Sequence, residues 1–314
     1  AIPESVYEKY GGVTEFCRKT ASPALAMLNS GFQALWLKRT KPAFFEQVSD
    51  ILHLPQYLSY RFTGQRVSEL TSIGCHTAMW DFDNHCYHPW LASERINLPH
   101  PVDNTTCFEV DFEGRKLSVG IGIHDSSASL APYLTLAPEP FILISTGTWC
   151  ITMNPFNDEA LTAEQLKMDC LSYMGVHRKA VKSSRLFLGH IFDLNVSRIE
   201  RFFGKEEGAF KLVEPNDAIV GELLKTQTRY FFAKGVPSDY IDLTVDLSLF
   251  ATFEAAYHQL VFDISNLCRE SIEWVIPVSD ITKAVYITGG FSRNRLFVRL
   301  MANLLPDKRI FTSE

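Results

Sequence analysis

Gly122-Ile123-His124-Asp125-Ser126-Ser127-Ala128-Ser129 is the stretch on which the reading of this chain turns. Before it runs KLSVGI (116–121), after it LAPYL (130–134). The run 116–123 reads as a buried strand, and the small hydroxyl residues after Asp125 read as the start of a helix. Strand ends are where α/β proteins present reactive groups. A single carboxylate there has two readings. It is a helix cap, accepting backbone N–H bonds for about 1 kcal/mol, or it is a reactive group held at the mouth of a site.

Two more strand ends lie downstream. In PFILISTGTWCITM (140–153) the small-residue turn lets backbone N–H groups and Thr hydroxyls approach an anion. A tight hairpin explains the same residues. A serine nucleophile is the poorer reading, since G-x-S-x-G is missing. In YITGGFSRN (286–294) a strand runs through two glycines into a helix, which allows close approach of a flat ligand or a phosphate. A plain strand-to-helix turn is the alternative. Neither G-x-G-x-x-G nor G-x-x-x-x-G-K-[ST] is present.

Around these segments the first 90 residues read mostly as helix. Residues 24–38 have helical apolar spacing. Residues 44–64 are amphipathic, with a break at Pro55 and a stop at Gly64. Loop and strand patterns follow over 91–118. Further on, 222–235 reads as a helix stopped by Gly235, 251–276 as a long amphipathic helix, 292–305 as another, and 309–313 as a strand. The second half is therefore α/β. With 314 residues the chain is expected to form two domains, divided near 118/119.

Composition narrows the partners. Thirty Lys and Arg against 36 Asp and Glu give a net charge of −6, and the basic residues are scattered, so nucleic acid is not expected. No apolar run approaches the ~18 residues of a membrane span. The first twelve residues, AIPESVYEKYGG, have neither the basic nor the apolar stretch of an export signal. The seven cysteines are odd in number and widely spaced, without C-x-x-C. Reduced thiols in a cytoplasmic protein are the expectation. The run HCYH (85–88) fits no standard zinc spacing and is read as surface.

In order and spacing, the three strand ends resemble the FGGY carbohydrate kinases. Gly122-Ile123-His124-Asp125-Ser126-Ser127-Ala128 matches the family's G-x-H-D-[ST]-x-[AS]. Ser145-Thr146-Gly147-Thr148-Trp149 matches S-[ST]-G-T-W, and Gly289-Gly290-Phe291-Ser292-Arg293-Asn294 matches G-G-x-x-x-N. Phe62-Thr63-Gly64, Glu69 and the run from Thr71 to Thr77 echo a further upstream pattern. The family's D-x-G-T phosphate loop and its late small-residue helix have no counterpart here.

This resemblance implies the two-domain sugar-kinase/Hsp70/actin (ribonuclease H-like) α/β fold. Residues 1–118 would form part of a sugar-binding domain and 119–314 an ATP-binding domain. It implies ATP-dependent phosphorylation of a ketose or deoxy-ketose, with Asp125 as general base. Sugar contacts are expected from His124, Ser126, Glu69, Gln33 and Arg185, with Asn29, His76, Trp80 and His190 as further candidates. Trp36 is expected in the core. Thr146, Gly147, Thr148, Gly289, Gly290 and Asn294 would face the nucleotide. Mg²⁺ would ride on the phosphates without dedicated protein ligands, and a homodimer is expected from family habit. A nucleotide-dependent ATPase of the same fold is the alternative reading. A non-catalytic sugar-binding homologue, suggested by the lacking D-x-G-T loop, is a third.

Overall fold

A computed structural model describes residues 2–313. Its described residues divide into two compact units: 2–137 with 157–183, and 138–156 with 184–313. The first division therefore falls at 137/138, not 118/119. The helix that begins at Asp125 belongs to the first unit.

The first unit is mainly helical. Its core packs Phe16, Phe32, Leu35, Ile73, Met79 and Trp90. Between 42 and 64 there are two helices, Pro42–Phe45 and Leu54–Thr63, with irregular chain between them. Pro55 thus starts a helix instead of breaking one, because the missing proline N–H is one that a first helical turn leaves unbonded anyway. Gly64 ends that helix at φ 69°. The run 116–123 is not a buried strand. Arg115–Gly120 pairs antiparallel with Cys107–Phe112 alone, and its residues are mostly exposed. Its apolar residues mark a two-stranded ribbon, and irregular chain separates it from Asp125.

The expected surface run 85–88 is also split. His85 and Cys86 are exposed, but His88 is buried and its Nδ1 accepts the Trp90 amide. Trp36, expected in the core, is on the outer side of its helix, 38% exposed, with the Lys41 ammonium over its ring.

In the second unit, four strands lie in the order Arg309–Ser313, Ala284–Gly289, Phe141–Thr146, Cys150–Asn154. The first three are parallel and the last antiparallel. Phe141–Thr146 is buried except at Ser145, which is partly exposed, as expected of a central strand flanked on both sides. Helices Leu188–Phe202, Phe253–Val275 and Arg295–Leu304 supply the rest of this core, with Ile142, Ile144, Leu260, Ile264, Val285, Ile287 and Leu300 at its centre. The helix predicted over 222–235 ends at Thr226. Gln227 turns left-handed at φ 53°, and the amides of Tyr230 and Phe231 go to Asp263 Oδ2, at 3.0 and 2.8 Å.

Candidate active site

Asp125 is the first residue of the helix Asp125–Leu136, and His124 is its cap. The chain reaches it through a close crossing. A Cβ on Gly122 would stand 2.5 Å from the Pro55 carbonyl oxygen. Gln56 Nε2 donates to Gly122 O at 2.6 Å, and Gly122 N donates to Ser59 Oγ at 2.7 Å. His124 N then donates to Thr71 Oγ1 at 2.9 Å, and Thr71 Oγ1 donates to Glu69. Glu69 is buried and also accepts the Thr71 amide at 2.9 Å. Burial raises its pKa, opposed by those hydrogen bonds. Glu69 is therefore a cap for the helix Leu70–Ile73 and a support for His124.

The Asp125 side chain is 93% exposed. Its near contacts all use Oδ1: Ser126 N at 2.6 Å, Ser126 Oγ at 3.4 Å and His124 Nδ1 at 3.0 Å. The Ser126 amide is shared with His124 Nδ1, 3.2 Å away. Both readings of the strand end thus hold in part: His124 and Asp125 cap the helix, and the carboxylate still reaches solvent.

Three residues that sequence reasoning missed stand close by. His53 has its Nε2 3.0 Å from Ser30 Oγ. Burial, and then the neighbouring His124, depress its pKa to about 4. His124 is depressed too, by burial, with Asp125 opposing. Burial pushes the Cys75 thiol up to about 12, with Asp125 adding to it, and burial likewise raises Tyr173, with Cys75 adding to it. No local pattern marks these three, since folding alone brings His53 near His124, Cys75 near Asp125 and Tyr173 near Cys75. Gln33 is not part of the group; its Nε2 is turned to Met27 O at 2.7 Å. Asn29 is buried, with Nδ2 donating to His76 O at 2.8 Å, and Trp80 lies in the core.

The second group lies wholly within the other unit. Gly147, Thr148, Gly290 and Asn294 line a cavity of about 610 Å³. Its apolar wall includes Phe187, Phe192, Phe210, Tyr257 and Phe291, and its charged lining is Lys211, Arg293 and Arg295 with Asp193 and Glu214. The segment 145–150 is the hairpin turn joining Phe141–Thr146 to Cys150–Asn154, closed by Gly147 N to Trp149 O at 2.9 Å. Helix Leu188–Phe202 docks on that turn through Gly189, whose N donates to Thr148 O at 3.1 Å. A Cβ there would be 2.7 Å from Gly147 O. Gly289 has φ 85°, and a Cβ on it would fall 1.8 Å from Thr146 O. Only glycine fits. Gly290 opens on free space.

Asn294 and Thr146 are placed differently from a simple ligand contact. Asn294 Oδ1 accepts the Phe297 amide at 3.1 Å, capping its helix, and its Nδ2 donates to Tyr257 Oη at 2.9 Å. Thr146 lies buried behind the cavity. Arg185 is in this unit too, with its guanidinium over Trp149, 5.5 Å from the ring centroid. Trp149 stacks on Phe187 at 4.5 Å, and Phe187 on His190 at 4.6 Å, so this row flanks the same cavity. Among the described residues no group of three or more His, Cys, Asp or Glu converges as metal ligands.

No family model matches the chain. Solved structures do. A carbohydrate kinase from Novosphingobium aromaticivorans superposes with a TM-score of 0.78 at 23% identity, covering 99% of this chain and 69% of its own. Xylulose kinase from Lactobacillus acidophilus gives 0.68 at 16%, covering 99% and 64%. Glycerol kinase from Plasmodium falciparum, solved with ADP, gives 0.63 at 12%, covering 99% and 65%. The chain thus spans about two thirds of the length of the structures it matches. It has the α/β fold of the sugar-kinase/Hsp70/actin class, as the sequence motifs implied. Its structural neighbours are carbohydrate kinases.

Proposed function

We propose that the protein is an ATP-dependent carbohydrate kinase acting on a ketose or deoxy-ketose, with Asp125 as general base. The carrying observation is the Asp125 carboxylate: fixed at a helix start through Oδ1, yet 93% exposed. Phosphoryl transfer asks a protein mainly for positioning and charge stabilisation. A sugar hydroxyl is a weak nucleophile, and a carboxylate within hydrogen-bond reach accepts its proton as oxygen bonds to phosphorus. His124 and Ser126 border that carboxylate and orient the sugar hydroxyls. Held neutral by burial, His124 can donate or accept a hydrogen bond without drawing the proton away from Asp125.

The cavity of the second unit suits a nucleotide. Aromatic walls take the base, and Gly290 and Thr148 offer backbone N–H and hydroxyl groups to phosphate oxygens, while Gly147, its own N–H bonded to Trp149 O, shapes the turn. Lys211, Arg293 and Arg295 outnumber Asp193 and Glu214 in its lining, which favours an anion there. ATP, when bound, supplies the phosphoryl group. Mg²⁺ carried by the phosphates, a cytoplasmic location and a homodimer belong to the same proposal, as does the division into a sugar-binding and an ATP-binding part.

The test is ADP release by the full-length protein with Mg·ATP and L-rhamnulose, L-fuculose, D-xylulose, L-ribulose or glycerol. Turnover with one sugar, reduced about 10²–10⁴-fold in Asp125→Asn, is the expected result. ATP turnover independent of sugar and untouched by that substitution would mean an ATPase instead.

A further inference from the structure

We propose that Thr146 is a positioning residue whose buried hydroxyl latches the turn at 289–291 to the end of the strand Phe141–Thr146. It thereby holds the two backbone segments of the cavity at a fixed separation. The inference rests on the nucleotide reading above and deepens it.

Thr146 is only 2% exposed, and its hydroxyl is used twice within the protein. Oγ1 donates to Thr288 O and accepts the Phe291 amide at 3.0 Å. One hydroxyl therefore bonds on both sides of Gly289-Gly290, to residues 142 and 145 positions away. The parallel ladder places Gly289 directly opposite Thr146. There the glycine backbone presses onto the Thr146 carbonyl, with room for no side chain. The chain emerges from this crossing at Gly290, on the cavity wall, while the residue after Thr146 is Gly147, also on that wall. The latch is thus the point at which the two segments are tied together.

A hydroxyl in this position has no good replacement. Valine keeps the shape but leaves a buried carbonyl and a buried amide without their partner. Serine keeps both bonds and loses only the methyl group that stiffens the rotamer. The substitution pair therefore separates the latch from mere bulk.

ADP binding by calorimetry and steady-state kinetics on the full-length protein test this in Thr146→Val and Thr146→Ser. Valine is expected to weaken ADP and raise the KM for ATP by about tenfold, the worth of one net hydrogen bond, with the KM for sugar unchanged. Serine is expected to remain within about threefold of the parent. A merely destabilised fold would lower the active fraction and leave the Kd and both KM values where they were. That outcome, or a valine variant with the parent's Kd, overturns the latch. Should Thr146→Val not fold, amide exchange in the unsubstituted protein decides. The Phe291 amide is expected to be protected without nucleotide, and exchange at the rate of an open amide overturns the proposal. Unsubstituted protein that binds no ADP would sink the nucleotide reading, while the exchange of Phe291 would still judge the latch.

Discussion

The carbonyl oxygen of Pro55 lies 2.5 Å from where a Cβ on Gly122 would stand, so the segment leading to Asp125 is pressed against the start of the helix Leu54–Thr63. Nothing flexible can give way, because all three nearest atoms belong to Pro55. Gly122→Ala is expected to lose about 1–3 kcal/mol of stability, as overpacked sites do. The same shift displaces His124 and Asp125, and a small misplacement of a reacting group lowers rate steeply. Denaturant melts and turnover with the accepted sugar check this. A variant with unchanged stability and kcat would mean that the crossing is looser than it stands here.

Two buried groups give opposite pH dependences. His53 is held neutral, at about 4 instead of 6.5. Between those values the unfolded chain binds the extra proton, so this stability is lost as pH falls from about 6.5 to about 4. Asp263 is raised from 3.8 to about 7, chiefly by burial. There the folded state binds the extra proton, so stability is lost as pH rises from about 4 to about 7. Relative to the parent, His53→Gln should tilt the stability–pH curve downward with rising pH, and Asp263→Asn should tilt it upward. The limit is about 1.4 kcal/mol per pH unit for one group. Urea melts at pH 4.5, 5.5 and 6.5 read the sign directly, and parallel curves for all three proteins would refute both assignments.

Gly189 faces the turn at Gly147 and Thr148 with only hydrogen on its Cα. Gly189→Ala would bring a methyl to 2.7 Å from Gly147 O and 2.9 Å from Thr148 Cα. Helix propensity favours alanine at such a site by roughly 1 kcal/mol, so any loss must come from the displaced turn. The expected result is an ADP affinity lowered about tenfold with the helix content intact. Titration calorimetry beside far-UV circular dichroism separates the two. Unaltered ADP binding would show that the turn moves aside without consequence.

Much of this was legible along the chain. The carboxylate after Gly-x-His, the small-residue turn 145–149 and the paired glycines 289–290 could be located because each is a contiguous pattern with a local physical reason. The same holds for the long helix Phe253–Val275 and the strand Arg309–Ser313, whose periodicity is their own. Local pattern misled where the partner was distant. Residues 116–123 alternate like a buried strand, but Arg115–Gly120 finds one neighbour only and forms a mostly exposed ribbon. Residues 227–235 have helical composition, yet the carboxylate of Asp263, more than thirty residues on, takes the amides of Tyr230 and Phe231.

The sequence by itself determined where groups capable of polar and conformational work lie along the chain: Asp125 and His124 at a helix start, Gly147 and Thr148 at a turn, Gly289 and Gly290 at a strand end. Residue type and immediate neighbours are enough to say what a carboxylate, a hydroxyl or a glycine can do. Only the tertiary structure decided how each is used. It turned Thr146 and Asn294 inward as ties, set His53 near His124 and Cys75 near Asp125, and moved Arg185 onto the Trp149 ring. A hydrogen bond or a desolvated neighbour depends on distance in space, and folding joins positions that the order of residues keeps far apart.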